Sequence, residues 1–398
     1  MATDKFGIRR CPQRCLNFGL PARCPSGGYT LARPECNNNK LETSMTSQSL
    51  IQRGGGACVR RLGVLGAACA LALAAGCAAP TPPTAAAVSL QPVSIVLGSN
   101  LGHLPILVGA EKGFFAAHGL DLQLKVVNNG SEMVSAMQKR EVELGDMSVT
   151  TFIKAKHEGD ALQVIGLIMN DATRSNADEP LAIISKKGSG IRPGVISDLK
   201  GRKVAVMLGQ TPHEYLKIAA ARAGLAESDI VIVNMPQSPA IADALRDGRV
   251  DAVASLEPLN SLVMQSVADA YEVQRGGGYL SYLMITTAYL PTIQNRSDVI
   301  DRFAAGLAQA SQYTRQHRAE AVQIFAKAVP GQDVRALTQG ITHVSYDPRM
   351  SAATDRAFDA AQTDVLSQAS LRGRAPIALN ALLYRDAIDK ARVRYPQY

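Results

Sequence analysis

The sequence predicts an α/β protein of two similar lobes with a cleft between them, and three observations predict it. From Pro92 onward, strand-like apolar runs alternate with helical patterns, the signature of α/β units on parallel sheets. The same order of elements recurs about 105 to 110 residues later. The remaining segment, Ser297 to Tyr398, is mostly helical in pattern. Two matched α/β lobes in one chain, with no catalytic cluster, place a ligand cleft between them.

The elements follow in chain order. Residues 1–44 are rich in Pro, Gly and Asn with scattered Cys and no period, and are excluded from the fold as unstructured or as a mis-assigned start. Met45 opens a segment of signal-peptide length, 45–77. In it Arg60-Arg61 precede Leu62 to Ala75, an uncharged run of 14 residues. As a helix that run spans about 21 Å, short of the ~30 Å hydrocarbon core of a bilayer. A basic flank, a short apolar run and small residues at a cut site mark an export signal. Residues 78–91, rich in Ala, Pro and Thr, form a linker.

Val93 to Leu97 reads as the first strand. Ile106 to Ala117 reads as a helix closed by His118-Gly119, and Leu122 to Val127 as the next strand, with Ser131 capping a further helix. In the second copy, Lys203 to Gly209, Ala223-Gly-Leu225 and Asp229 to Val233 match these in order. Ala136-Met-Gln-Lys-Arg-Glu-Val-Glu-Leu-Gly-Asp146 aligns with Ala244 to Val253, each a helix end turning through a charged bend into a short buried strand.

Composition excludes several function classes. The first 77 residues hold 10 basic and 3 acidic side chains, and the rest hold 32 and 31. The formal charge of +8 therefore belongs to the leader, and the near-neutral body offers no footprint for nucleic acid. All seven cysteines, Cys11 to Cys77, also lie in the leader, so the body carries neither thiol chemistry nor a thiolate metal site. Cys11-x3-Cys15 and Cys24-x11-Cys36 lack the nearby His and apolar periodicity of a zinc module. No metal, no cofactor and no catalytic residue is expected.

Leu73-Ala-Ala-Gly-Cys77 resembles a bacterial lipobox, which implies acylation of Cys77; Ala74 departs from the usual Leu, and plain cleavage is the alternative. In the body, Ala110-Glu-Lys-Gly-Phe-Phe-Ala-Ala-His-Gly-Leu120 resembles the opening of the nitrate/sulfonate/taurine group of ABC-transporter solute-binding proteins, whose neighbours bind thiamine precursors. Asp198 to Val206, Ala223 to Leu225, Ala244 to Ala252 and Glu257-Pro258 fit the same pattern. The resemblance implies a periplasmic-binding-protein type II fold with two hinge crossings. Its first lobe takes residues 92–183 plus 279–398, and its second takes 184–278.

Ligands of open α/β sheets sit beyond the carboxyl ends of strands, where loops enter helix N-termini. That rule selects four loops, and the resemblance implies the same four. They supply Ser99, Asn100, Leu101 and His103; Met147, Ser148 and Val149; Gly209, Gln210, Thr211 and His213; and Leu256 with Glu257. Thr211 with Pro212 behind it reads as a helix N-cap that leaves free N–H groups for an oxyanion. His103 and His213 read as loop residues rather than metal ligands. Leu256 stands where many relatives carry Trp.

The expected function is capture of a small anionic or polar organic solute of the sulfonate, nitrate-like or pyrimidine class. Delivery is to an ABC permease and its ATPase, from a monomer held by lipid in the periplasm or on the outer face of the cytoplasmic membrane. The alternatives are a sensing lipoprotein for a membrane receptor, and an enzyme resembling thiamine-pyrimidine synthases. Those enzymes need a Cys-rich motif, which the body lacks.

Overall fold

The computed structural model describes residues 89–368 and 370–395. The expected disordered start, the signal peptide with Cys77, and the linker up to residue 88 lie outside the described residues.

The chain opens on β1 (Gln91–Leu97), whose Val93, Ile95, Val96 and Leu97 are buried. One helical turn leads into α1 (Leu104–Glu111). The helix expected to reach Ala117 breaks there: Gly113 sits at φ 72°, which a right-handed ladder cannot pass through, and the short α2 (Phe114–Ala117) starts afresh. Next come β2 (Leu120–Val126), α3 (Gly130–Gln138), β3 (Leu144–Ser148), α4 (Val149–Glu158) and β4 (Leu162–Met169). The cap of α3 is Asn129 rather than Ser131. Its Oδ1 accepts from the Glu132 N–H at 3.0 Å, and the Glu132 carboxylate accepts in turn from the Asn128 N–H.

The chain then builds β5 (Leu181–Lys186), β6 (Lys203–Val206), α5 (Thr211–Arg222), β7 (Val231–Asn234), α6 (Ala240–Arg246), β8 (Ala252–Leu256), α7 (Leu259–Ser266) and β9 (Ala270–Arg275). It returns through β10 (Met284–Tyr289) and finishes in α8 (Leu290–Asn295), α9 (Ser297–Gln316), α10 (Arg318–Ala328), α11 (Val334–Gly340), α12 (Ala352–Leu366), α13 (Leu379–Leu382) and α14 (Arg385–Arg394).

Two five-stranded sheets result, ordered β2-β1-β3-β10-β4 and β7-β6-β8-β5-β9. The repeat read in the sequence is thus a repeat in space. In each copy the first strand pairs in parallel with the second at the edge and with the third on its other side, through Ile95↔Leu144 in one sheet and Val204↔Ala252 in the other. The sheets are mixed, not wholly parallel as expected. The strand after each crossing enters the receiving sheet antiparallel: β5 against β8 and β9, β10 against β3 and β4. β5 starts at Leu181, so residues 181–183 pair within the second sheet.

The central strands β3 and β10 are buried along their whole length, whereas the edge strand β7 is exposed at both ends. This is the gradient a sheet covered on both faces imposes. The helical tail covers the first sheet: α9 packs on α1, α2 and α14, with the Phe303 ring stacked on Phe115 at 5.2 Å. Burying each such ring contributes about 1.5–3 kcal/mol relative to exposure. The crossings, residues 170–180 and 276–283, are tied to each other by Asp178. Its Oδ2 accepts from the Tyr279 N–H at 2.8 Å and its Oδ1 from the Gly278 N–H at 3.2 Å, and burial raises its pKa against those bonds.

Candidate functional site

A cavity of about 340 Å³ opens where the strand ends of both sheets, the second crossing and the helical tail converge. After β1 the chain passes Gly98, Ser99 and Asn100, all on the cavity wall. Asn100 Oδ1 accepts from the Gly102 N–H at 2.8 Å, which pins the turn that carries His103. Leu101 turns the other way into the core, where its carbonyl accepts from the Tyr346 hydroxyl at 2.7 Å.

His103 lines the cavity from behind. Its Nδ1 lies 2.8 Å from Asp146 Oδ2, and both side chains are 0% exposed. Burial pushes the Asp146 carboxyl up, while the imidazole beside it pulls the other way. Tyr282, buried at the second crossing, is raised by its burial first and by Asp146 second.

Of the β3 loop, Ser148 alone among the expected residues reaches the cavity. Its Oγ caps α4, accepting from the Thr151 N–H at 3.2 Å. Met147 points away from it into the core of the first sheet, as strand pleat dictates, and Val149, the first residue of α4, is buried in the same core.

From the second sheet, Gln210, Thr211, Leu256 and Glu257 reach the cavity. The cap of α5 is Gln210, not Thr211: Gln210 is extended (φ −99°, ψ 169°), Thr211 is already helical, and no side chain caps this end. Gly209 faces a neighbouring cavity of about 280 Å³, which also contains Lys154 and shares Thr151, Gln210 and Thr211 with the first. His213 points back along its own helix. Its Nδ1 accepts from the Gly209 N–H at 3.2 Å, and its Nε2 meets Glu227 Oε1 at 3.1 Å.

Glu257 is buried yet compensated. Oε1 lies 2.9 Å from Arg275 Nη1, and Oε2 accepts from the Ser261 N–H at 3.1 Å. Arg275 also donates to Glu272 and to the Glu179 carbonyl, tying the floor of the cleft to the first crossing.

Residues outside the four expected loops complete the wall. Asn128 and Asn129 follow β2, and Pro236 to Pro239 follow β7. These too are carboxyl ends of strands, so the same rule, applied to the edge strands, finds them. Gln332 and Asp333 come from the tail before α11, and nothing local in the sequence marks them. Asp333 caps that helix, and the N–H groups of Ala336 and Arg335 hold its carboxyl below the usual range. The wall carries six carboxamides, three methionines and two carboxylates but neither Lys nor Arg. Among the described residues no cluster of three His, Cys, Asp or Glu could hold a metal.

Two five-stranded α/β sheets, exchanged at two crossings beside a polar cleft, build a periplasmic-binding-protein type II fold. The NMT1/THI5-like family model matches residues 100–321, more than half of the chain, and the chain belongs to that family. A putative binding protein of Brucella abortus is 21% identical over 224 residues, covering 55% of this chain and 66% of that protein, just under two thirds of its length. A 4-amino-5-hydroxymethyl-2-methylpyrimidine phosphate synthase of Uromyces fabae is 26% identical over 164 residues, 41% of this chain and 45% of the synthase. Among solved structures, the periplasmic aliphatic sulphonate binding protein SsuA from Escherichia coli superposes with a TM-score of 0.62 at 20% identity. That match covers 76% of this chain and 100% of SsuA, a likeness of fold.

Proposed function

We propose that this chain is an extracytoplasmic solute-binding protein that closes its two lobes on a small polar organic solute. It hands that solute to an ABC permease and ATPase, and Cys77 anchors it by lipid to the membrane. The observation that carries the reading is the cleft. At about 340 Å³ it lies in the range of small-molecule sites, and its wall is drawn from the strand ends of both sheets and from the second crossing, the geometry in which a ligand bridges two halves. Relatives named as binding proteins support the reading. The synthase among the relatives keeps the enzymatic alternative in view, and a cysteine-free body counts against it.

The test is a thermal-shift screen of the purified protein against sulfonates, nitrate, bicarbonate, pyrimidines and aromatic acids. A ligand of the cleft stabilises progressively as its concentration rises. Replacing Gln210 and Thr211 together by Ala is expected to weaken that ligand at least tenfold, about 1.4 kcal/mol, with the fold intact. Unchanged affinity removes the site assignment. For the anchor, Cys77→Ser should move the protein from the membrane to the soluble fraction; persistence on the membrane rejects lipidation at Cys77.

A further inference from the structure

Two buried polar groups face the cleft from opposite sides with polar atoms unmatched. His103 Nε2, from the loop after β1, and both Gln237 carboxamide atoms, from the loop after β7, meet no hydrogen-bond partner among the described residues. Such groups are uncommon because each loses its water without replacement.

Both side chains of the His103–Asp146 pair are 0% exposed, with Nδ1 2.8 Å from Oδ2, so Nε2 is the ring nitrogen left to meet a ligand. No side chain at position 98 intrudes on it: a Cβ there would lie 2.6 Å from Nε2.

Gln237 presents a donor and an acceptor side by side. The charges around both groups disfavour an anion, because Glu257 and Asp333 line the cleft and no Lys or Arg does. A sulfonate or nitrate here would face carboxylates without a counter-ion. A cation gains little, since Arg275 and the first turn of α11 already occupy those carboxylates.

We infer that His103 and Gln237 clamp an uncharged ligand across the cleft through an amide-type edge, an acceptor and a donor on neighbouring atoms, as in a primary amide, a lactam or a ureide. This rests on the cleft being the ligand site.

The experiment measures binding of nicotinamide, 2-pyrrolidone and allantoin against methanesulfonate and nitrate by calorimetry on the purified protein. At least one amide-edge probe should bind saturably. Gln237→Leu should weaken it at least tenfold with an unchanged circular dichroism spectrum, since Gln237 sits on a loop between Pro236 and Pro239. His103→Gln, which keeps a polar group, should lose less than His103→Leu; where His103→Leu does not fold, Gln237→Leu decides alone. An amide-edge probe whose affinity survives Gln237→Leu overturns the clamp. Binding of methanesulfonate or nitrate without the amide-edge probes also overturns it, and leaves the solute-binding reading standing. Failure of all five probes overturns the clamp as well, and the broader screen then judges the cleft by itself.

Discussion

Arg275 is the side chain whose loss the structure prices most sharply. It is 12% exposed and holds three acceptors: Glu257 Oε1 at 2.9 Å, Glu272 Oε1 at 2.7 Å and the Glu179 carbonyl at 2.9 Å. Arg275→Met keeps the length and removes the charge. Glu257, 0% exposed, is then left with the Ser261 N–H as its remaining close donor. Stranding one partner of a buried ion pair costs about 3–5 kcal/mol. For roughly 300 folded residues that corresponds to a fall in Tm of roughly 5–8 °C. Urea unfolding followed by far-UV circular dichroism reads the loss directly. In a double-mutant cycle with Glu257→Gln, the pair should show a coupling of at least about 2 kcal/mol, because removing both charges leaves nothing stranded. His343 supplies a second readout. Its Nε2 lies 4.0 Å from Glu257, and its pKa is lowered by burial first and by Arg275 second, so it should rise in Arg275→Met, followed by NMR. A loss below about 1 kcal/mol, or additive single effects, would refute the account of how Arg275 compensates Glu257 in the wall.

Two further outcomes are expected. Gly98→Ala places a methyl 2.6 Å from His103 Nε2 and 2.9 Å from Met133 Cε; it should destabilise by about 1–3 kcal/mol and weaken any cleft ligand, and a neutral effect in thermal unfolding contradicts that packing. Asp364 on α12 is raised to about 6 by burial, with Arg222 opposing and Glu214 reinforcing the shift. A carboxyl raised in the fold binds more protons there than in the unfolded chain, so this contribution is fully present below about pH 4 and is lost as pH rises through about 6. The wild type should therefore lose up to about 3 kcal/mol from this group over that window, less wherever water screens it, and Asp364→Asn should flatten the slope. Equal slopes in both proteins reject the assignment.

Much of this was readable in advance, for a physical reason. Both lobes solve the same local problem, an apolar strand, a helix and a charged bend into a buried strand, so the repeat survives in the residues. The antiparallel entries of β5 and β10 were not readable, because nothing local to Leu181–Lys186 or Met284–Tyr289 says which neighbour they will meet. At the site, loops after central strands followed from topology, and of the residues they supply Ser99, Asn100, His103, Ser148, Gln210, Thr211, Leu256 and Glu257 line the cavity. Within those loops, direction failed: Leu101, Met147 and Val149 are adjacent to cavity residues but face the core. The pairing of His103 with Asp146 left no local mark, because the partner lies 43 positions away, on another strand. Gln237 was missed when the strand-end rule was not carried to the edge strand β7.

The order of the strands also governs when each sheet can be finished as the chain emerges. Sheet β7-β6-β8-β5-β9 draws its strands from one unbroken stretch, residues 181–275, whereas the other leaves a gap between β3 and β4 until residues 284–289 arrive. The first-made half therefore closes last, and no cut within 170–283 yields two self-sufficient pieces. As the chain emerges from synthesis, its leading half thus stays open until most of the body has followed it.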